Sequence, residues 1–349
     1  MQLSMSPFTV TKRVALTISR GTTAQSTNVW LRLRHDGVEG WGEASPFSVG
    51  DRQTHETTIA ALKQLAPALD ALSPFEIQKI QQQLAGAPSA ARAALDMACH
   101  DWIGKALNVP LWKLWGGDRD RIVPTSLTIG INTPEKAQER LRLWKEQLEA
   151  ENVKAVKIKL GSPRGIEADQ AMFTALQDEV PDGAKISVDA NGGWTPSAAL
   201  SMIHWLAERG VVYVEQPLAR GQESDLLELY LRSPLPLMAD ESCFTSQDIP
   251  ALVGRVHGIN IKLMKSGGLS EALRMVHTAQ AHGLKIMFGC YSDTALSNAA
   301  AAQLAPFADY LDLDSHLNLV DDPFIGAALN QGRPWPSDIP GLGVRRRDA

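Results

Sequence analysis

The stretch Val153–Gly161 carries Lys157 and Lys159 in strict alternation with Val156, Ile158 and Leu160. Such alternation describes a strand with one apolar face and one basic face. Further on, single charged residues close similar apolar runs. Asp189 follows Ile186 and Val188, Glu215 follows Val212 and Val214, Asp240 follows Leu237 and Ala239, and Lys262 follows Ile259 and Ile261. Asp312 and Asp314 flank Leu313 in the same way. Each charged residue falls on the face opposite its apolar neighbours. Taken singly, any one of these acids reads as a helix cap or a surface ion pair; their shared parity points to a site. Three carboxylates brought together need a hard divalent cation between them, and an all-oxygen set favours Mg²⁺ over zinc or copper. A cation that also holds a substrate carboxylate acidifies the carbon beside it. Lysines on two sides could then remove a proton and return it from the opposite face, inverting that carbon.

What must position these residues is a sheet whose strands all point the same way. After residue 118, short apolar strands recur roughly every 25 residues with amphipathic helices between them, such as 134–150 and 196–209, the cadence of parallel βα units. Strands are predicted at 124–129, 155–160, 185–189, 211–215, 237–240, 258–262, 285–288 and 310–312. They make an α/β fold, a (β/α)₈ TIM-like barrel over residues 119–333 with its site at the C-terminal strand ends. In a ring of eight, strands three to five are neighbours, so Asp189, Glu215 and Asp240 share one arc. Strands two and six lie opposite, which sets Lys159 against Lys262. Strand eight, with Asp312 and Asp314, faces strand four. Lys157 beside Lys159 is a like charge that lowers the pKa of Lys159, or else one half of a structural ion pair. Residues 1–118 read differently. Strand-like alternation at 28–34 and 39–44 precedes a helical stretch from 54 to about 113, strongest at Ala90–Cys99, which describes an α+β capping domain. The irregular tail, 334–349, is expected to return to it.

The chain has 349 residues, 44% hydrophobic and 21% charged, with a net charge of −5. Nothing in it forms a basic stripe suited to nucleic acid; Arg345–Arg347 read as a solvated tail. No apolar run is long enough to span a membrane, and no signal-like segment precedes Arg13. Three cysteines without Cys-x-x-Cys spacing indicate neither a disulfide framework nor a zinc site. A cytoplasmic protein is expected, and a homo-oligomer is left open.

The motifs together resemble a known family. Lys-x-Lys at 157–159, Asp-Ala-Asn at 189–191, Glu-Gln-Pro at 215–217, Asp-Glu-Ser at 240–242 and Asn-Ile-Lys-Leu-Met-Lys at 260–265 are similar to the muconate-lactonizing subgroup of the enolase superfamily. Sites of that superfamily pair a Lys or His base with Mg²⁺. Asp-Leu-Asp at 312–314 narrows the resemblance to dipeptide epimerases, of which L-Ala-D/L-Glu epimerase is the example. It implies Mg²⁺ on Asp189, Glu215 and Asp240, with Asn191 and Glu241 steadying those ligands, and proton transfer by Lys159 and Lys262. It also implies that Asp312 and Asp314 bind a dipeptide's ammonium group, that Thr128 touches substrate, and that Lys157 supports catalysis or binding.

Two loops depart from the family pattern, Gly289–Asp293 and Ser19–Gly21. Arg20 would favour an acidic side chain on the substrate, such as the glutamate of L-Ala-L-Glu. Tyr291 could as readily close the pocket around an apolar one, and Cys290 reads as a small lining residue. Lys265 reads as a solvated turn residue, and His257 and His316 as satisfied polar residues bordering the site. The alternatives are an N-acylamino-acid racemase or an o-succinylbenzoate synthase, whose substrates would leave two inward aspartates without a counter-charge, and a barrel that binds peptides without turnover.

Overall fold

A computed structural model describes residues 1–50 and 52–347. Residues that alternate in sequence pair in register. Strands β1 (Gln2–Ile18), β2 (Gly21–His35) and β3 (Val38–Ala44) form an antiparallel sheet. Helices α1 (His55–Leu69), α2 (Ile77–Gln83) and α3 (Ser89–Ala106) follow. The Ala-rich α3 lies so close to β3 that a Cβ on Gly42 would stand 1.9 Å from the Ala94 carbonyl oxygen, which only glycine avoids. Pairing of β1 with β2 slips between Thr11 and Leu16, and Lys12, on the same face of β1 as buried Val10, is 8% exposed.

The second sheet has eight parallel strands in sequential order: β4 (Leu127–Ile129), β5 (Ala155–Lys159), β6 (Lys185–Asp189), β7 (Val214–Glu215), β8 (Leu237–Ala239), β9 (Gly258–Ile261), β10 (Lys285–Gly289) and β11 (Tyr310–Asp312). The ring closes where the Ser126 amide donates to the Leu311 carbonyl at 2.8 Å and Thr125 bridges Leu311. Two strands begin three residues later than predicted. Val212 does bond to Ile186, but Pro236 opposite has no N–H to extend the ladder, so two-sided pairing begins at Val214. The amides of Thr125 and Ser126 bond to Gly332 and to Leu311 of β11 and not to β5, so the β4–β5 ladder begins at Leu127. The predicted helix 134–150 ends at Leu148, where Glu149 takes φ +63°. Val156, Ile158 and Leu160 are fully buried against the helices, so the lysines of β5 face the barrel axis.

The C-terminal segment packs against the first hundred residues. The Leu342 amide donates to Asp101 Oδ1, and Phe324 meets Phe8, Trp30 and Trp41 edge-on or tilted. Arg345–Arg346 is not a solvated tail. It pairs antiparallel with Phe324–Ile325, Arg346 lies over the Trp30 ring, and Arg347 donates to the Asp322 carbonyl. His257 does not border the site either: it precedes β9 at the opposite end of the barrel, where its Nδ1 accepts the Leu237 amide. Among the described residues no helix is long and apolar enough to cross a membrane.

Candidate active site

The register of neighbouring strands sets the site. Lys159 is level with Asp189 and Asp189 with Glu215; Asp240 follows the end of β8. One carboxylate oxygen from each of Asp189, Glu215 and Asp240 lies within 4.8 Å of the others, and all three residues are buried. The chain leaves β7 through Gln216 at φ +36°, a strained value for a residue with a side chain. That side chain accepts the Asp240 amide at 2.9 Å and donates to Ser242 Oγ, tying the end of β7 to the end of β8.

Buried carboxylates at this spacing repel one another, and four ammonium groups compensate them. Lys159 reaches Asp189 Oδ2 at 2.6 Å and Lys262 reaches Asp240 Oδ2 at 2.7 Å. Lys157 stands 2.6 Å from Glu215 Oε2, and Lys265 stands 2.6 Å from Asp240 Oδ1. Asn260 donates to Glu215 Oε1, and Asn191 donates to both oxygens of Asp189. Burial pushes the Glu215 carboxyl above its ordinary value, with Asp189 adding to it. At Asp240 burial acts the same way, but Lys262 and Lys265 outweigh it and hold that carboxyl far below the usual range. A compact, buried, all-oxygen set of three acids fits a hard divalent cation and does not fit a thiophilic one.

Two expectations about lysines are corrected here. Lys265 is fully buried; besides Asp240 Oδ1 it donates to the Asp240 and Asn260 carbonyls, so it is part of the site's frame. Lys157 lowers Lys159, as does burial, but Asp189 together with Asp312 and Glu215 outweighs both, and Lys159 is raised on balance. Lys157 itself has no exposed surface, because its ammonium is shared between Glu215 and Asp312, 2.7 Å away.

The lysines open onto two adjoining cavities. The larger, about 410 Å³, is lined by Ile18, Arg20, Phe47, Val49, Lys262 and Tyr291 among others. The smaller, about 60 Å³, contains Thr128, Asp312 and Asp314, and the two share Lys12, Leu16, Lys159, Cys290 and Tyr291. A still larger concavity of about 780 Å³ lies by Met1 and Asp36 on the first sheet, away from the carboxylates. Asp312 accepts from Ser126 Oγ and Lys157, which hold it down at about 2 against the upward push of burial. Asp314 accepts the Thr128 amide at 2.6 Å and is pushed up to about 6 by burial and by Asp312.

Tyr291 stacks on Phe47 with centroids 4.5 Å apart, and Lys262 lies 4.6 Å from the Tyr291 ring centre. Burial pushes the Cys290 thiol up, and it donates to the Asp312 carbonyl. Arg20 reaches the larger cavity, but its guanidinium is held by Glu241 Oε1 at 2.6 Å and by the Asn191 carbonyl at 2.7 Å. Glu241 also accepts from Asn191 at 3.3 Å. His316 is half-buried, and its buried Nδ1 has no partner among the described residues; desolvation lowers its pKa to about 4.

Residues 4–116 match the mandelate racemase/muconate lactonizing enzyme N-terminal domain, and residues 139–349 match the enolase C-terminal domain-like family. The chain belongs to this branch of the enolase superfamily, as barrel, cap and acidic triad together indicate. It is similar to a hydrophobic dipeptide epimerase from Flavobacteria bacterium (strain MS024-2A), 44% identical across 99% of this chain and 98% of that one. A substrate-liganded L-Ala-D/L-Glu epimerase from Bacillus subtilis superposes with a TM-score of 0.92 at 28% identity, covering 99% of this chain and 98% of that chain. A dipeptide epimerase from Enterococcus faecalis V583, complexed with Mg and L-Leu-L-Tyr, superposes at 0.90 with 32% identity, covering 99% of each chain.

Proposed function

We propose that the protein is a Mg²⁺-dependent dipeptide epimerase that inverts the α-carbon of the C-terminal residue by 1,1-proton transfer. The observation that carries this reading is the placement of Lys159 and Lys262. They stand on opposite strands of the ring, each against a different carboxylate of the triad. Asp189, Glu215 and Asp240 would hold Mg²⁺, which when bound binds the substrate carboxylate and stabilises the charge that develops as the α-proton leaves. The chain's own groups do the rest. Lys159 exchanges the proton on one face and Lys262 on the other. Asp312, Asp314 and Thr128 receive the free ammonium group, with Asn191 and Glu241 steadying the ligand loops. Lys157 neither moves a proton nor touches substrate; it fixes Glu215 and Asp312 from between them. Residues 1–118, with 334–349 returning to them, cap the barrel of 119–333 and close the larger cavity with Arg20, Phe47 and Val49.

The aspartate pair separates this reading from its rivals. The substrates of an N-acylamino-acid racemase or an o-succinylbenzoate synthase carry no ammonium to offset it. A barrel that only binds peptides has no use for two opposed lysines. The side chain of the inverted residue is read as apolar, because the larger cavity offers Ile18, Phe47, Val49 and Tyr291 while Arg20 is neutralised by Glu241. The name of the Flavobacteria relative and the L-Leu-L-Tyr complex support that choice. Release of Arg20 toward the same cavity favours the second reading, an L-Ala-L-Glu type of substrate.

A dipeptide library incubated with enzyme and Mg²⁺ in D₂O, with α-deuteration read by mass, tests the reaction. Deuterium should enter the C-terminal residue of free dipeptides with an apolar C-terminal side chain and spare N-acetylated ones. Exchange confined to N-acyl amino acids would overturn the reading.

A further inference from the structure

The small cavity around Asp312 and Asp314 also contains cations that the proposed reaction leaves unused. Lys12 is 8% exposed and Arg140 7%, and both line it. Among the described residues neither side chain makes an ion pair; Lys12 senses Asp314 and Asp293, and Arg140 senses Asp314, only from beyond contact distance. Arg140 lies over the Trp144 ring at 3.8 Å and leaves its Nη1 without a hydrogen-bond partner. Further positive charge comes from Arg13, whose field reaches Arg140, and from Lys136 on the rim.

The acids of the cavity do not balance these cations. Asp312 is matched by Lys157, which leaves Asp314 as the acid that faces Arg140, and Asp314 with Asp293 as the acids that face Lys12. Once a substrate ammonium takes up Asp312 and Asp314, Arg140 is left without counter-charge and Lys12 with only Asp293 beyond contact distance, an arrangement that is disfavoured unless the ligand itself supplies an anion. Connectivity says where on the ligand that anion sits. The ammonium and the N-terminal side chain share one α-carbon, so a dipeptide held at Asp312 and Asp314 must place that side chain in the same small cavity. With about 60 Å³ there is room for only about four water-sized atoms, the scale of a short carboxylate side chain.

We infer that the N-terminal subsite selects a short acidic residue, aspartate ahead of glutamate, whose side-chain carboxylate is bound by Lys12 and Arg140. The inference rests on the dipeptide-epimerase reading and adds the substrate's first residue to it.

The test uses the full chain with Mg²⁺ in D₂O and compares isosteric pairs, L-Asp-L-Leu with L-Asn-L-Leu and L-Glu-L-Leu with L-Gln-L-Leu. The charged member should have the higher kcat/KM for α-exchange by about tenfold or more, since its partner leaves both cations unpaired. Lys12→Met and Arg140→Met should each bring that ratio toward one, and Lys12→Arg should keep it. A partly misfolded variant lowers both members of a pair equally, so the ratio remains readable, and the wild-type ratio needs no variant. A wild-type ratio of one or less, with exchange still measurable on L-Asn-L-Leu, would overturn the inference and leave the epimerase. A high ratio unchanged in both Met variants would overturn its assignment to these residues. Absence of exchange from every dipeptide would remove the epimerase reading, and this inference with it.

Discussion

Lys157 and Glu215 meet at 2.6 Å in the barrel interior, with no exposed surface on either. The same ammonium stands 2.7 Å from Asp312, on the strand opposite Glu215 in the ring. One cation therefore braces the triad and the ammonium subsite against each other, and these two acids, outweighing the effect of burial, hold it charged at any working pH.

Lys157→Met should act through stability before chemistry. It strands two buried carboxylates, and removing one partner of such a pair costs about 3–5 kcal/mol. Thermal unfolding in Mg²⁺ should shift down by several degrees. An unchanged Tm with activity lost would instead make Lys157 a proton carrier.

Metal removal has two readouts. Asp189→Asn or Glu215→Gln should lower kcat by about 10²–10³ or more, because the developing charge loses its stabiliser. Independently of activity, Mg²⁺ should raise the wild-type Tm as its concentration rises, by mass action on the folded state. Asp240→Asn, which leaves Lys262 and Lys265 unpaired, should blunt that rise. Full turnover in EDTA would refute the metal assignment.

The two lysines should divide the faces. Lys159→Ala and Lys262→Ala should each abolish net epimerisation, while each single variant still exchanges the α-proton of one epimer through its surviving lysine. Mass spectrometry of separate L,L and L,D substrates in D₂O checks this. Equal residual exchange from both epimers in both variants would point to a single base.

Acid should weaken recognition of the free N-terminus. Asp314 is pushed up to about 6 by burial and Asp312, so below that pH it is neutral in the free enzyme and offers the ammonium nothing. Since kcat/KM reports the free enzyme, it should fall as pH drops through about 6 for free dipeptides. The same carboxyl works against folding in the other direction. Its folded pKa lies above the unfolded value, so its contribution to stability declines as pH rises from about 4 to 6. Asp314→Asn should remove the acid limb; a limb that persists there belongs to another group.

Arg20→Ala separates the two side-chain readings. With the guanidinium held by Glu241, its loss should leave the ranking of apolar dipeptides unchanged, with kcat/KM altered by no more than about tenfold. A library headed by acidic C-terminal residues, and losing that preference in Arg20→Ala, would favour the L-Ala-L-Glu type instead.

Much of this site was legible locally. A strand has a period of two, so parity alone assigned Lys159, Asp189, Glu215, Lys262 and Asp312 to the barrel interior, and a ring of eight then put β5 opposite β9. What parity cannot supply is the partner of a charge. Lys265 lies in the turn after β9, where sequence favours solvent, and only the fold over it delivers the Asp240 carboxylate and the Asn260 carbonyl. The neighbour in the chain, Lys157, does lower Lys159, but the net sign comes from Asp189, Asp312 and Glu215 on other strands, because charge falls off with distance in space and not along the sequence. Lys12 reaches the cavity because the first sheet, on whose Val10 face it lies, packs over the barrel mouth, and Arg140 through the packing of its helix over β4. Neither carries a motif, since sheet-on-barrel and helix-on-barrel contacts are decided by residues far away in the chain. Sequence determined which strands carry charge and toward which side; the tertiary structure decided which charges are matched and which are left for a ligand.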